Sequence, residues 1–426
     1  MTPQEIMDRL AELREAGVKL RRRPARDTLA LLGRVLESWR DPGSPWRRRL
    51  EAELPGVTGF SPENVREGLA RGLAAFGSEA LHALVRAELG DSARLDAASS
   101  SMLSSFDVTA VVLAGSIPQP TLLALLAPLV LRSPVLAKPA SRDPVTPGLV
   151  AESIAAVDAG LGRCIAIAPF GSHDEGCLSA LLGADCVAAT GSDASIAALA
   201  ARVRPPRRFI PSGHRLSIAA LGPAALAGAA LDAAAEGIAL DVALWDQLGC
   251  LSPLAVYAVG GSDTASDRLA ECLADALTAL ERRLPRGKPD AAAGAAFLYE
   301  CDSAELRAAA GGRVQLFGGA AQRFAVVREA DAALRPAPLH RFLRVHPVPD
   351  ALALGAALRP LAPHLAGVAL AGFGPESDAV ARGLADLGAS RVCRPGELQA
   401  PPLAWRHDNR PVLLPLARFT DREVQE

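Results

Sequence analysis

The spacing of hydrophobic positions changes character near residue 106 of the chain. Before that point Ile6, Leu10 and Leu13, then Leu29, Leu32, Val35 and Leu36, recur at helical intervals, which predicts helices. A second helical set runs from Pro62, a residue suited to a first helical turn, through Arg71 to Leu89. From residue 106 short apolar runs rich in β-branched residues alternate with helical stretches. Strands are expected at 106–114, 133–139, 164–168, 185–189 and from 208. Helices are expected at 121–131, 147–157, 175–182 and 196–203, with a loop at 115–120. Strands and helices alternating in this way form βαβ units on a parallel sheet, so a doubly wound α/β domain is predicted. Such sheets bind ligands in the crevice at the carboxyl ends of their strands.

A second α/β lobe is expected from Leu216. It holds an Ala-rich helical run at 224–235, a strand at 254–259 and a long helix at 266–284, closed by Pro285-Arg286-Gly287. Residues 312–318 and 323–327 are expected to pair as a hairpin, and the βα rhythm resumes at 365–370 and 377–387. The apolar run at 411–416 reads as an edge strand or an oligomer contact. The reading therefore divides the chain into 1–213, to which 381–426 returns, and 214–380.

Composition narrows the picture. With 50% hydrophobic and 22% charged residues, the 426-residue chain can bury a sizeable core, and global disorder is excluded. Aromatics make up only 4%, so Ala, Leu and Val must do the packing. A net charge of -2 gives no overall field for nucleic acid. Seven cysteines without paired or Cys/His spacing read as reduced thiols of a cytoplasmic protein. Met1 to Ile6 carries no apolar signal region, and the longest apolar stretch, 121–131, is too short to span a bilayer.

The stretch Gly249-Cys250-Leu251-Ser252-Pro253 lies between a predicted helix and a predicted strand. A cysteine on such a turn can expose its sulfur beside its own backbone N–H, so attacking atom and oxyanion donor stand together. The alternative is a buried structural thiol. Lys138 closes a strand and is fixed by Pro139, within reach of a ribose or phosphate, or else it is a surface lysine. Thr190-Gly191-Ser192 ends a strand and opens a helix, a turn whose N–H groups and hydroxyls suit a phosphate. His214 lies where the two lobes meet in sequence, as a proton-transfer group or a structural hydrogen bonder. Ser116, after the first strand, is a candidate oxyanion donor. The chain has no GxGxxG, no Walker lysine and no GxSxG elbow, which argues against the usual Rossmann, P-loop and serine-hydrolase sites. The basic run Lys19 to Arg23 reads as a solvated face. His173, Asp174 and Glu175 are contiguous, and contiguous side chains rarely converge on one metal ion.

Six segments carry a family resemblance. They are Leu113-Ala-Gly-Ser-Ile-Pro118, Val135-Leu-Ala-Lys-Pro-Ala-Ser-Arg-Asp-Pro144, Thr190-Gly-Ser-Asp193, Ser212-Gly-His-Arg-Leu-Ser217, Asp246-Gln-Leu-Gly-Cys-Leu-Ser-Pro253 and Trp405-Arg-His-Asp408. In this order they resemble the acyl-CoA reductase family typified by the bacterial luminescence fatty acyl-CoA reductase (LuxC-type), a branch of the aldehyde dehydrogenase superfamily. The resemblance covers roughly residues 105–420. It implies an aldehyde-dehydrogenase-like α/β fold with a Rossmann-like cofactor domain and a catalytic domain.

It also implies roles. Cys250 is the nucleophile that takes an acyl group from a thioester, and a nicotinamide cofactor reduces the acyl-cysteine to an aldehyde. Ser116 stands where relatives place an oxyanion asparagine. Lys138 binds the adenosine ribose. Ser141 replaces a glutamate that favours NAD, and Arg142 follows it, so NADPH is expected. Thr190, Gly191 and Ser192 complete the cofactor set. His214 stands near the superfamily's water-activating glutamate, so slow hydrolysis of the acyl-enzyme and transfer to or from a thiol are expected. The glutamate that holds the nicotinamide ribose has no match, since Leu339-His-Arg-Phe-Leu-Arg-Val345 lacks a carboxylate. Expected partners are an acyl-CoA or acyl-carrier substrate, an acyl-protein synthetase or thioesterase, and further copies of the chain. The rival readings are an aldehyde dehydrogenase making acid and an idle scaffold of an acyl-transfer complex.

Overall fold

The computed structural model describes residues 1–96 and 101–423. They form two compact units. The first comprises residues 1–58, 72–214 and 402 onward, and the second comprises 59–71 and 215–401.

The chain opens with helices α1 (Pro3–Arg22), α2 (Ala25–Arg40) and α3 (Pro45–Thr58). Thr2 starts α1 through a capping box: its hydroxyl accepts from the Glu5 N–H at 3.2 Å, and the Glu5 carboxylate accepts from the Thr2 N–H at 2.7 Å. Ile6, Leu10 and Leu13 are buried on α1, and Leu29, Leu32, Val35 and Leu36 on α2, as their spacing predicts. The helical set expected from Pro62 to Leu89 is two helices, α4 (Pro62–Ala74) and α5 (Ser78–Leu89). Gly77 in extended backbone caps α5 and divides them.

The first sheet follows. A short strand β1 (Ser101–Ser105) precedes β2 (Thr109–Val112), α6 (Pro118–Val130), β3 (Val135–Lys138), α7 (Thr146–Val157) and α8 (Ala159–Gly162). Then come β4 (Ile165–Ile167), α9 (Glu175–Leu181), β5 (Cys186–Thr190), α10 (Asp193–Ala200) and β6 (Arg208–Ser212). Helix α6 begins three residues before the expected start at Thr121, because Pro118 and Pro120 occupy its first turn, where N–H groups have no intrahelical acceptor. The strand order is β4-β3-β2-β5-β6, all parallel. The chain winds outward from β2 through β3 to β4, then returns to β5 on the other side of β2. The order thus reverses between β2 and β5, and a doubly wound sheet opens its ligand crevice at that reversal.

The second unit holds a larger sheet. Its elements are β7 (Leu216–Leu221), α11 (Gly228–Ala243), β8 (Pro253–Val259), α12 (Asp263–Glu281), α13 (Ala291–Ala309), β9 (Gln315–Gly319), β10 (Phe324–Arg328), β11 (Phe342–Val348), α14 (Ala351–Leu358), β12 (Leu365–Ala371), α15 (Ser377–Asp386) and β13 (Arg391–Cys393). The order is β13-β12-β7-β8-β11-β10-β9. All neighbours are parallel except β9 and β10, the hairpin expected from sequence. One core face joins Ile218, Tyr257, Val348, Leu354 and Val368.

Unit membership differs from the sequence division at His214, which falls in the first unit, and in two longer segments. Residues 381–401 stay with the second unit, because β13 pairs with β12 and forms the edge of its sheet. Residues 59–71 also belong there, because Asn64 bonds to the segment before Cys250. In the C-terminal segment, the run 411–416 is not the strand. The Glu88 carboxylate accepts the N–H groups of Val412, Leu413 and Leu414 at 2.7, 2.7 and 3.1 Å and holds them in a turn. The strand follows as β14 (Ala417–Asp421), antiparallel to β1. Among the described residues, no helix is long and apolar enough to cross a membrane, and no cluster of three His, Cys, Asp or Glu side chains could hold a metal ion.

Candidate active site

The Cys250 turn is built by buried polar contacts within the second unit. After α11 the backbone enters the left-handed region at three successive non-glycine residues, Trp245, Asp246 and Gln247, with φ of 55°, 49° and 66°. Each such residue costs on the order of 1 kcal/mol or more and persists only where its surroundings hold it. Asn64 does part of this: its Oδ1 accepts the Trp245 N–H at 2.8 Å, and its Nδ2 donates to the Ala243 carbonyl at 2.8 Å. Gln247 does more. Its Oε1 accepts the Phe342 N–H at 2.8 Å, while its Nε2 donates to the carbonyls of Phe342 at 2.9 Å and Pro253 at 2.8 Å. One amide side chain therefore ties both ends of the 247–253 loop together and anchors it to β11.

Inside that loop the backbone of Cys250 is fixed from below. Its carbonyl accepts the Ser217 hydroxyl at 2.8 Å, and the Ser217 oxygen in turn accepts the Gly367 N–H at 3.0 Å. The Ser252 N–H donates to the Gly249 carbonyl at 2.9 Å, and the Ser252 hydroxyl accepts from Gln399 at 2.8 Å. Gly367 leaves no room for a side chain: a Cβ there would lie 2.9 Å from Ser217 Oγ, Leu251 Cδ2 and Leu398 Cδ2. Cys250 itself is half-buried. Of the other six thiols five are buried, and Cys393 is half-buried like Cys250. Burial pushes Cys164, Cys301 and Cys393 up to about 11 and Cys186 up to about 12, and it also raises Cys177 and Cys272. These six are thiols, not thiolates, at neutral pH.

The first unit has a cavity of about 330 Å³ at the carboxyl ends of its strands. Leu113 and Ala114 after β2, Lys138 on β3 and Thr190 on β5 line it, which is the strand reversal identified above. Leu178 of α9 and Ala198 and Leu199 of α10 add apolar wall, and Ser141, Ser172 and Ser195 add hydroxyls. The Lys138 ammonium lies 3.4 Å from Ser172 Oγ and 5.3 Å from the centre of the Phe170 ring. Burial lowers its pKa, so a bound anion would restore the charge that burial disfavours. Glu175, the one carboxylate in the lining, is held by Arg202 at 2.5 Å.

The sequence candidates separate on this geometry. Lys138, Ser141 and Thr190 meet in the cavity lining. Gly191 and Ser192 do not: the Gly191 N–H donates to the Ser212 carbonyl at 3.1 Å, and Ser192 Oγ accepts the Ser195 N–H at 3.2 Å as the cap of α10. The N–H expected to face a phosphate is thus engaged within the sheet. Arg142 is exposed and outside the lining. Its neighbour Asp143 is buried and accepts the N–H groups of Val145 and Thr146 at the start of α7. Ser116 is buried on the β2–α6 loop, after Gly115 with φ +85°. His214 is exposed, and its N–H donates to Asp193 at 2.8 Å. Sequence reasoning missed Ser217, Gln247, Gly367 and Gln399, whose partners are distant in sequence, and Ser172, Glu175, Ser195 and Arg202, whose place after β4 and β5 was the available signal.

Solved structures share the fold. An NAD-dependent aldehyde dehydrogenase from Sinorhizobium meliloti matches at 16% identity and a TM-score of 0.74, over 99% of this chain and 86% of that one. A benzaldehyde dehydrogenase from Corynebacterium glutamicum, described as NAD-dependent, matches at 14% identity and a TM-score of 0.71, over 99% and 90%. Aldehyde dehydrogenase C of Pseudomonas syringae, solved as a mutant with NAD+ and octanal, matches at 13% identity and a TM-score of 0.72, over 98% and 88%. Among curated proteins, none matches the sequence. The family model for acyl-CoA reductase (LuxC) matches residues 20–420. With that match across nearly the whole chain, and with an aldehyde-dehydrogenase fold beneath it, the protein belongs to the LuxC acyl-CoA reductase family and is an enzyme of that reductase type.

Proposed function

We propose that the enzyme reduces an acyl thioester to an aldehyde with NADPH, through an acyl-cysteine on Cys250. The observation that carries this is the Cys250 turn: a half-buried thiol on a loop whose backbone is fixed through its own carbonyl, which accepts the Ser217 hydroxyl at 2.8 Å. The Cys250 thiolate attacks the thioester carbonyl, forming a C–S bond and an oxyanion. The Cys250 N–H and the Ser116 hydroxyl are assigned to that oxyanion. Collapse breaks the bond to the leaving thiolate, which takes a proton, and His214 is assigned to that transfer. A nicotinamide cofactor, if held by Lys138, Ser141 and Thr190, would supply the hydride chemistry that reduces the acyl group. The C–S bond to Cys250 then breaks, releasing aldehyde and restoring the thiolate.

The first-unit cavity suits the adenosine end of a nicotinamide cofactor: apolar walls for a purine, and Lys138, Ser141 and Thr190 for ribose and phosphate oxygens. The choice of NADPH rests on Ser141, a hydroxyl where a carboxylate would repel a 2′-phosphate, and on Glu175 being paired with Arg202. The neighbours named as NAD-dependent support a nicotinamide cofactor in general. The thioester comes from CoA, a carrier protein or a partner synthetase, and the enzyme works in the cytoplasm as a homo-oligomer.

The test is to mix the full chain with an acyl-CoA, follow the mass of the Cys250 peptide, and then add NADPH. Acylation at Cys250, absent in Cys250→Ala, followed by NADPH-dependent aldehyde release is expected. Rapid hydrolysis to acid would favour the aldehyde dehydrogenase reading. A chain that neither acylates nor binds NADPH would favour the scaffold.

A further inference from the structure

Two left-handed turns lock into one another inside the second unit. The first is Trp245–Gln247, just before Cys250. The second is Leu339, His340 and Arg341, with φ of 66°, 57° and 67°, just before β11. Neither contains a glycine, so neither course is the backbone's own preference. Arg341 and Asp246 join them. Arg341 Nε and Nη2 both donate to Asp246 Oδ1, at 3.0 and 2.7 Å. Arg341 Nη2 also reaches the Ala243 carbonyl at 3.2 Å, and Nη1 reaches Glu281 and the Leu284 carbonyl, each at 2.8 Å. Asp246 is fully used as well: Oδ1 accepts from Asn64 at 3.1 Å and Oδ2 accepts the Gly287 N–H at 2.9 Å. Trp245 seals the first turn, edge-on to Phe60 and seated where Gly68 has no side chain. Arg341 and Asp246 are 1% and 3% exposed, so water does not loosen the pair.

We propose that Arg341 and Asp246 act as positioning residues: they hold the Trp245–Gln247 turn in its left-handed course and thereby set where the Cys250 sulfur stands. The inference rests on the reading of Cys250 as nucleophile. The chemical reason is distance along the chain. Only Leu248 and Gly249 separate the turn from Cys250, so a change of course at Asp246 falls four residues before the one that carries the sulfur. Gln247, at the end of the same turn, sets the span of the loop to Pro253. A buried ion pair is poor evidence for stability in general, because desolvation offsets its attraction. A pair that fixes three consecutive unfavourable dihedrals next to a reactive atom has a different use, the holding of geometry. Lysine cannot replace Arg341 here, since one ammonium cannot reach Asp246, Glu281 and two carbonyls from a fixed plane.

The test uses the full chain with Arg341→Met, Arg341→Lys and Asn64→Ser, assayed at a temperature where circular dichroism shows each folded. Two rates are read: alkylation of Cys250 by iodoacetamide, followed by peptide mass, and acylation of Cys250 by an acyl-CoA. For Arg341→Met we expect acylation at saturating thioester to fall about 100-fold, while the half-saturating concentration moves less than about 3-fold. Arg341→Lys should recover about a tenth of the parental rate, and Asn64→Ser should fall between the two. If the methionine variant does not fold, the other two decide. A folded variant with parental acylation and alkylation rates overturns the proposal, and so does a loss confined to half-saturation. If the parent alkylates at Cys250 but takes no acyl group from a thioester, the thioester reading fails. The alkylation rates then decide the clasp alone.

Discussion

The Cys250 turn and the first-unit cavity are built on opposite plans. Around Cys250 nearly every polar side chain is buried and spent on another part of the protein: Asn64, Gln247, Ser217, Gln399 and Arg341 all bond to backbone or to one another. Around the cavity the hydroxyl-bearing residues Ser141 and Thr190 are exposed, and Lys138 has a long contact to Ser172 and the Phe170 ring beside it. The difference fits the roles proposed for each. A nucleophile needs its position settled before substrate arrives, since misplacement by an ångström costs rate. A cofactor cradle needs donors that are still free to bind, set on strand ends that do not move.

The sharpest way to break the comparison is Cys250→Ala. Acyl transfer should fall by at least about 1,000-fold, while NADPH affinity, read by fluorescence titration, should be unchanged. A parallel loss of cofactor binding would mean that the two regions do not divide the work as described. Lys138→Ala is the converse. It should weaken NADPH about 30-fold, the usual scale for losing a charge-assisted contact, and leave alkylation of Cys250 as it was. Ser141→Glu should act within the cavity alone, weakening NADPH about 10-fold and NADH little; equal losses for both would remove Ser141 as the discriminating position.

The smallest effect on activity, and the clearest on stability, concerns Asp241 on α11. Burial pushes its carboxyl up to about 7, while its Oδ2 accepts the Gly396 N–H at 2.7 Å. The folded chain then keeps a proton that the unfolded chain releases near pH 4. Stability should therefore be highest below about pH 4 on this account, decline as pH rises to about 7, and level off above it. Asp241→Asn should remove the decline, gaining a few kcal/mol relative to the parent at pH 8 and little at pH 4. Urea unfolding at the two pH values checks it. Equal shifts at both would show that Asp241 does not titrate in this range.

Much of the fold was legible because its signals are local. Spacing marked the helices at Ile6, Leu10 and Leu13, and the β-branched run before Ala114 marked β2. The doubly wound sheet followed from the alternation alone. Boundaries failed where chemistry outside the pattern intervened: prolines opened α6 early, Gly77 split the helix after Pro62, and the Glu88 carboxylate turned 411–416 away from a strand. In the site, Cys250 and Lys138 stood out because reactive residues at strand ends and turns are recognisable by type. The Gly191 N–H misled, because a turn of the right composition can spend its donor on the neighbouring strand.

The sequence by itself determined the class of fold and marked candidate residues for chemistry, because hydrophobic period, turn residues and side-chain type are written in consecutive positions. Tertiary structure decided what those residues have as neighbours. In sequence Arg341 lies in a segment noted only for lacking a carboxylate, and Asp246 opens the Asp246–Pro253 segment with no partner visible for it. Only folding brings them to 2.7 Å in a dry interior, where their attraction can hold a backbone course that neither segment would take alone.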